Sequence, residues 1–317
     1  MRWPFRRVIR RRTNIEKLQN TTSVFVVLNP NSGRCSGEEA RLLLEKHLSG
    51  VCQIHELSSE SSLAECIREA ISEGAERIVA VGGDGTVSAV GDILANLGTN
   101  VPLGILPLGT ANVLAGELGI PSDMEEACRL LTGPHDLVKI DAMRIRDRHY
   151  LTQVGVGLDA LMIRDTTTED KKRFGRLAYI WTAFSSLAGF QPRRFTLTLD
   201  GTPIKLKASQ VLVANSGTLG QKPFRWGLDI RPDDGVLDVC VIRARNLFDI
   251  LSLGWHVVRG RHKHARNVTY RTIRREVTIA SKVPVPVQAD GEIVGETPVT
   301  VRVAAGVINV LVPVANA

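Results

Sequence analysis

The sequence predicts an α/β domain, a parallel sheet with flanking helices, followed by an antiparallel β-sandwich. Three observations predict it. Over residues 22–132 short apolar runs alternate with helical patterns, the rhythm of parallel strands joined by crossover helices. After "TGPHD" (132–136) strand-like stretches take over. Asp-Gly pairs at 200–201, 234–235 and 290–291 punctuate those stretches, and Asp-Gly between alternating apolar residues is the strongest short hairpin signal. The chain's 317 residues suffice for two cores rather than one. The predicted division is a basic tail (1–21), an α/β domain (22–132), a sandwich domain (133–305) and a terminal stretch (306–317).

In the first half the strand candidates are "VFVVL" (24–28), "RIVAV" (77–81) and "LGIL" (103–106). Helical patterns follow each, in 38–48, 86–97 and 111–118, and a further one, 62–74, precedes the second run. In the second half the strand candidates are "FTLTL", "KLKASQVLVAN", "GVLDVCVIR", "EVTIAS", "VPVPVQ", "TVRVA" and "VINVLVPV". One helical island, "LAYIWTAFSSLAGF" (177–190), interrupts them; it suits a core helix or the wall of an acyl-chain pocket.

Composition excludes several classes. With 44% hydrophobic and 23% charged residues the chain reads as an ordinary globular protein. No apolar run reaches the 18 or so residues of a membrane span, and the basic N-terminus lacks the apolar core of a secretory signal. The five cysteines (Cys35, Cys52, Cys66, Cys128, Cys240) are scattered and never spaced CxxC, which disfavours a disulfide framework or a zinc site and fits a reducing cytosol. The net charge of +7 points to an acidic partner. It concentrates in "MRWPFRRVIRRR" (1–12), where Trp3 and Phe5 interleave the arginines, and in "RGRHKHARNVTYRTIRR" (259–275). Both suit peripheral docking on an anionic membrane face, each basic residue contributing about 1 kcal/mol. No aromatic-rich sheet or recognition motif accompanies the charge, so nucleic acid is not an expected partner.

Ligands of open parallel sheets bind beyond the carboxyl ends of the strands. The loops there are "NPNSGRCSG" (29–37), "GGDG" (82–85) and "PLGT" (107–110), each glycine-containing and each entering a helix. Helix N-termini offer unpaired N–H donors, and glycine lets a phosphate approach bare backbone. One such loop is only a turn; three at one edge predict a phosphate or nucleotide site. Asp84 sits oddly in an anion cradle, since a carboxylate repels phosphate. It reads as a magnesium anchor, a ribose or proton acceptor, or a helix cap. Neither a P-loop nor a dinucleotide fingerprint occurs.

"NPNSG" (29–33), "GGDGT" (82–86), "LPLGTANVLAGELGIP" (106–121), "GVGLDA" (155–160), "RPDDGVLDV" (231–239) and "ADGE" (289–292) together resemble the diacylglycerol kinase catalytic-domain family, over residues 22–314. That family includes bacterial lipid kinases and sphingosine and ceramide kinases. The resemblance implies ATP as co-substrate and Mg²⁺ in a cleft between an α/β domain and a β-sandwich, a lipid acceptor, and a last strand, within "VINVLVPV", returning to the first domain. It implies that Asn29, Ser58, Gly82, Gly83, Asp84, Gly85, Thr86, Gly109 and Thr110 line the nucleotide site. Asp84 would anchor the nucleotide's metal, and Asp290 or Glu292 would take the proton from the lipid hydroxyl. Asp234, with the main chain of Arg231 and Val236, would hold a structural Mg²⁺, and Asp141 would belong to the same network. Self-association into a homodimer stays open. So does the acceptor lipid, because Val113 and Leu114 follow Asn112 where the family commonly has a carboxylate and an aromatic.

Two rival readings remain. NAD kinases share "GGDGT" but carry a second glycine-rich motif nearby, whereas "NSGTLG" (215–220) lies far downstream. A catalytically silent nucleotide- or lipid-binding regulator would not need Asp84, Asp234 and Asp290 together.

Overall fold

A computed structural model describes residues 24–32, 37–48, 50, 52–57, 62–157, 160, 192–218, 229–244, 249 and 267–314. The arginine-rich start, Ser58, the island at 177–190 and residues 259–266 lie outside the described residues. The chain forms two compact units, residues 1–140 with 307–317, and residues 141–306.

The first unit opens with β1 (Val24–Leu28), α1 (Gly37–Leu48), β2 (Cys52–Glu56), α2 (Leu63–Ser72), β3 (Arg77–Gly82) and α3 (Asp84–Leu97). It continues through β4 (Leu103–Pro107), α4 (Val113–Glu117) and α5 (Met124–Thr132) into β5 (His135–Ile145). Strand order is β2-β1-β3-β4, all parallel. β1 and β4 are buried at every residue, as expected of parallel strands covered on both faces. Val24, Val26, Leu28, Val79 and Val81 pack with Leu44 and Leu48 of α1 and with Ala127 and Leu131 of α5, while α3 packs on β3 and β4. Gly104 leaves room for this packing: a Cβ there would stand 2.7 Å from Leu131 Cδ2. The change of texture expected near residue 133 coincides with the start of β5, and the unit boundary falls inside that strand.

The second unit contains the end of β5, then β6 (Arg148–Tyr150), β7 (Gln153–Gly157), β8 (Arg193–Leu199), β9 (Thr202–Ala208), β10 (Gln210–Ala214) and β11 (Leu237–Ile242). β12 (Val268–Ile273), β13 (Glu276–Ser281), β14 (Pro286–Ala289), β15 (Glu292–Glu296) and the first part of β16 (Val299–Pro313) complete it. One antiparallel sheet runs β12-β11-β10-β7-β14-β15; the other runs β16-β13-β8-β9. Val154, Val156, Val213 and Val239 from the first sheet share a core with Phe195, Leu197, Val277, Ile279 and Val301 from the second. That is a sandwich, each inner face supplied by alternate residues.

"TVRVA" and "VINVLVPV" form one strand, β16, which runs on through Gly306 at φ 59°. Its C-terminal part enters the first unit and pairs in parallel with β4, Val310 opposite Leu103. "KLKASQVLVAN" is instead two strands, broken at Ser209, whose hydroxyl donates to Ile242 O. Of the three Asp-Gly pairs, two close hairpins: Asp200 and Gly201 have φ 45° and 91°, Asp290 and Gly291 46° and 90°. These are the two positive-φ positions of a type I′ turn. The third, Asp234-Gly235, is no hairpin. Only Gly235 has positive φ there, and the loop leads into β11 alone.

Candidate functional site

The three expected loops of the first unit are tied to one another by their own side chains. Asn29 leaves β1 with its N–H donating to Val81 O at 2.9 Å. Its side-chain Oδ1 accepts from Asn31 N, and its Nδ2 donates to Thr86 Oγ1 at 3.0 Å. Asn29 and Thr86 therefore join the first loop to the start of α3, with Thr86 buried. Leu108 N donates to Gly82 O, fastening the third loop to the second.

The glycines of these loops serve different ends. A Cβ on Gly82 would lie 2.5 Å from Thr86 Oγ1, and one on Gly109 2.6 Å from Gly83 Cα. Gly82 is thus set by its closeness to Thr86 and Gly109 by the close approach of the second and third loops, with a Cβ on Gly83 tight, at 3.3 Å, against Gly109 Cα. Gly85 is not so held. It is exposed, in the first turn of α3, and a Cβ there would meet nothing within 4 Å outside its own helix. Glycine at a helical position costs up to about 1 kcal/mol relative to alanine, so packing alone gives no reason for it. Open space at a helix N-terminus, where N–H groups lack partners, is where an anion fits.

Asp84 is the first residue of α3, and Gly83, its N-cap, supplies no side-chain bond. The carboxylate instead accepts from Val113 N at 2.6 Å, capping the start of α4. Asn112, left-handed at φ 47°, donates through Nδ2 to Gly109 O at 2.8 Å and holds the third loop closed. Thr110, in that loop, is exposed.

In the second unit Asp290 stands at the tip of the β14–β15 hairpin. Its Oδ2 accepts from Leu151 N at 2.7 Å; its Oδ1 accepts from Thr152 N, Thr152 Oγ1 and Gln153 N at 2.9, 2.6 and 3.1 Å. The side chain clamps the hairpin to the start of β7. Glu292, two residues on, is exposed, and among the described residues no hydrogen bond or ion pair engages it. Asn215 grips the same turn from within: Nδ2 donates to Leu151 O and Asp141 O, both at 2.8 Å. This fully buried amide was not singled out from sequence, since an Asn after a strand reads as an ordinary turn residue.

Asp141 is buried, accepting from Gly235 N and Gly306 N, both at 2.7 Å. Burial pushes its carboxyl above the ordinary carboxylate range despite those donors. Asp234 accepts from its own loop at Val236 N, 3.2 Å. Burial, reinforced by Asp141, Asp238 and Asp233, raises it to about 6, although the Val236 amide works the other way. Arg231 forks onto Asp233, at 2.9 and 2.7 Å, rather than neutralising Asp234. Among the described residues no three His, Cys, Asp or Glu side chains gather closely enough to share an ion. A cation in this loop would take main-chain oxygens beside Asp234.

Comparison with known proteins agrees with the motifs. Residues 23–145 match the diacylglycerol kinase catalytic domain, and residues 152–312 match the YegS C-terminal NAD kinase beta sandwich-like domain. A protein of Stenotrophomonas maltophilia named "Probable lipid kinase YegS-like" is 31% identical over 245 residues, 71% of this chain and 75% of that one. The diacylglycerol kinase of Bacillus subtilis is 25% identical over 286 residues, covering 86% and 90%. A crystal structure of a diacylglycerol kinase from Bacillus anthracis str. Sterne shares the fold, with a TM-score of 0.71 over 93% of this chain and 98% of that one, at 20% identity.

Proposed function

Because the chain belongs to the diacylglycerol kinase catalytic-domain family, we propose that it transfers the γ-phosphoryl group of ATP, with Mg²⁺, to a hydroxyl of a membrane lipid. The observation that carries the nucleotide half of this reading is the exposed Gly85, with open space before it at the N-terminus of a 14-residue helix. In this reading the amides of the first turn of α3 and the loop of Gly109 and Thr110 hold phosphate oxygens, and Asn29 keeps the first loop registered on α3. Ser58, as a nucleotide contact, rests on the family motif alone.

Phosphoryl transfer asks a protein for positioning and charge compensation more than for covalent chemistry. Two carboxylates suit a hard cation that prefers oxygen ligands. Asp84 would serve the metal of the nucleotide. Asp234, with the carbonyls of Arg231 and Val236, would hold the structural one. The raised Asp234 carboxyl supports the second assignment, since a partly desolvated carboxylate that feels the charge of three others is what a divalent ion relieves. When bound, the ions would offset the charge of phosphates and carboxylates.

The proton acceptor is assigned to Glu292. Asp290 has both oxygens engaged by four donors and would have to release the hairpin to act as a base, whereas Glu292 is exposed on the following residue pair.

The test is a panel of diacylglycerol, monoacylglycerol, phosphatidylglycerol and sphingoid bases, incubated with labelled ATP and Mg²⁺. Label entering the organic phase, and lost in a folded Asp84→Asn variant, is the expected result. Tight ATP binding with no labelled lipid would replace the enzyme by a regulator, and labelled NADP from NAD would replace the lipid acceptor.

A further inference from the structure

On the β16-β13-β8-β9 sheet of the second unit lies a groove of about 710 Å³. Arg194, Lys205, Lys207 and Lys282 line it, and among the described residues no carboxylate does. Among the described residues none of the four takes part in an ion pair. The pairing register sets Arg194 directly opposite Lys207 across β8 and β9, and Thr196 opposite Lys205. Like charges facing one another across two strands are mildly destabilising, and an anionic surface outside the sheet would offset them.

Edge protection accounts for part of this. β9 is the last strand of its sheet, and exposed lysines on an edge discourage pairing with another chain. That covers Lys205 and Lys207. It does not cover Arg194, on the inner strand β8, or Lys282, beyond β13 on the far side of β8. A second observation sits beside Lys282: Val283 is 63% exposed, held outward in a loop where Ser281 Oγ donates to its carbonyl. Cations around a shallow groove, with an apolar side chain standing free at its end, match a surface that is anionic outside and apolar just beneath.

We propose that this face of the sandwich docks on an anionic phospholipid bilayer, with the four cations against headgroup phosphates and Val283 entering the acyl boundary. The choice of a bilayer over other anionic surfaces rests on the lipid-kinase reading. The charge pattern does not. One strand, β8, stands between the end of β13 at Lys282 and the β9 lysines, two spacings of about 4.8 Å, so the cations span more than one phosphate group and suit several headgroups at once.

The experiment is co-sedimentation of the full chain with phosphatidylglycerol vesicles and with phosphatidylcholine vesicles. Each basic residue near an anionic surface is worth about fivefold in partitioning. Lys205→Gln with Lys207→Gln, and separately Arg194→Gln with Lys282→Gln, are each expected to weaken phosphatidylglycerol binding about twentyfold, with a melting temperature no lower than that of the wild type. Val283→Asp should weaken it further at high salt, where the charges are screened. Arg68→Gln with Arg144→Gln, exposed cations outside the groove and outside residues 259–275, should leave binding within a factor of two.

Equal loss in the Arg68/Arg144 control would overturn the proposal by reducing it to net charge. Unchanged binding in both groove pairs would overturn it outright, as would equal wild-type binding to phosphatidylcholine. Competition by single-stranded DNA at matched charge, with weak vesicle binding, would assign the groove to nucleic acid instead. Lipid phosphorylation in neutral detergent micelles separates the two readings: both groove variants should keep it, while its absence in the wild type would count against the kinase assignment and leave the vesicle result standing.

Discussion

At the scale of single residues, Asp290 and Glu292 are close in sequence and opposite in circumstance. Asp290→Asn replaces an acceptor engaged by three amides and a hydroxyl with a group that accepts through one atom only. Hydrogen bonds to a charged group are worth about 1.5–3 kcal/mol, so the variant should melt roughly 5 °C lower. Glu292→Gln touches no described partner and should melt unchanged, yet lose about 10²–10⁴ in kcat if it is the base. Melting curves beside turnover numbers read the two effects apart; normal turnover in Glu292→Gln returns the role to Asp290. Gly85 gives a test of the opposite sign. Gly85→Ala adds a methyl that meets nothing in the protein and improves helix propensity, so melting should rise by the equivalent of about 0.5–1 kcal/mol. Nucleotide affinity, read by calorimetry, should fall at least tenfold, because the methyl occupies the space assigned to phosphate. Higher stability with intact affinity would move the phosphate elsewhere.

At the scale of elements, the hairpin β8–β9 shows how an Asp-Gly pair does more than turn the chain. Asp200 reaches past its turn to accept from Arg274 N, Arg275 N and Glu276 N, at 2.8, 2.8 and 2.9 Å, binding the hairpin to the start of β13. Partial burial raises its carboxyl, but the three amides outweigh it and leave it below the ordinary carboxylate range. A depressed folded value means stability present above the unfolded pKa and lost as pH falls through the folded one. Wild type should therefore exceed Asp200→Asn by about 1 kcal/mol at pH 7, with the gap closing below about pH 4 in paired melts. A gap that persists at pH 3 would mean the carboxylate charge is immaterial. The turn at 200–201 was legible in the sequence; its partners at 274–276 were not, because local pattern carries no record of long-range acceptors. The pattern also missed α5, β5, β6, β7 and β12, and, for a different reason, two exposed strands. β2 ("CQIHE") is an edge strand with no fully buried residue, and β15 ("EIVGE") is almost wholly exposed, so neither shows the apolar run that marks a strand. The strands β1, β3 and β4 were plain because parallel strands buried on both faces are continuous apolar runs. At the candidate site, the glycine motif was legible, but not that Gly82 answers to the packing of Thr86 while Gly85 faces open space.

At the scale of the whole molecule, the chain passes between its units at residues 140–141 and 306–307, and the two residues that begin and end the second unit are bound to each other. Asp141 accepts from Gly306 N, and its other oxygen takes Gly235 N from the loop of Asp234. The loop read as a structural metal site is thus fastened to both ends of the second unit, and a cation there would stabilise the fold whether or not nucleotide is present. Metal-free, Asp234 is a liability: its carboxyl is pushed up to about 6 by burial and by Asp141, Asp238 and Asp233. Asp234→Asn removes one of these repelling charges and keeps the shape, so in chelator the variant should melt at or above the wild type. Magnesium then reverses the order. At a concentration 100 times its dissociation constant, an ion binding only the folded state adds about 2.7 kcal/mol, several degrees in a chain of this size. The wild type should gain that shift without ATP, and Asp234→Asn should gain almost none. Equal magnesium shifts in both proteins would place the stabilising ion away from this loop, and no shift in either would leave the crowded carboxylates to be offset by protons alone.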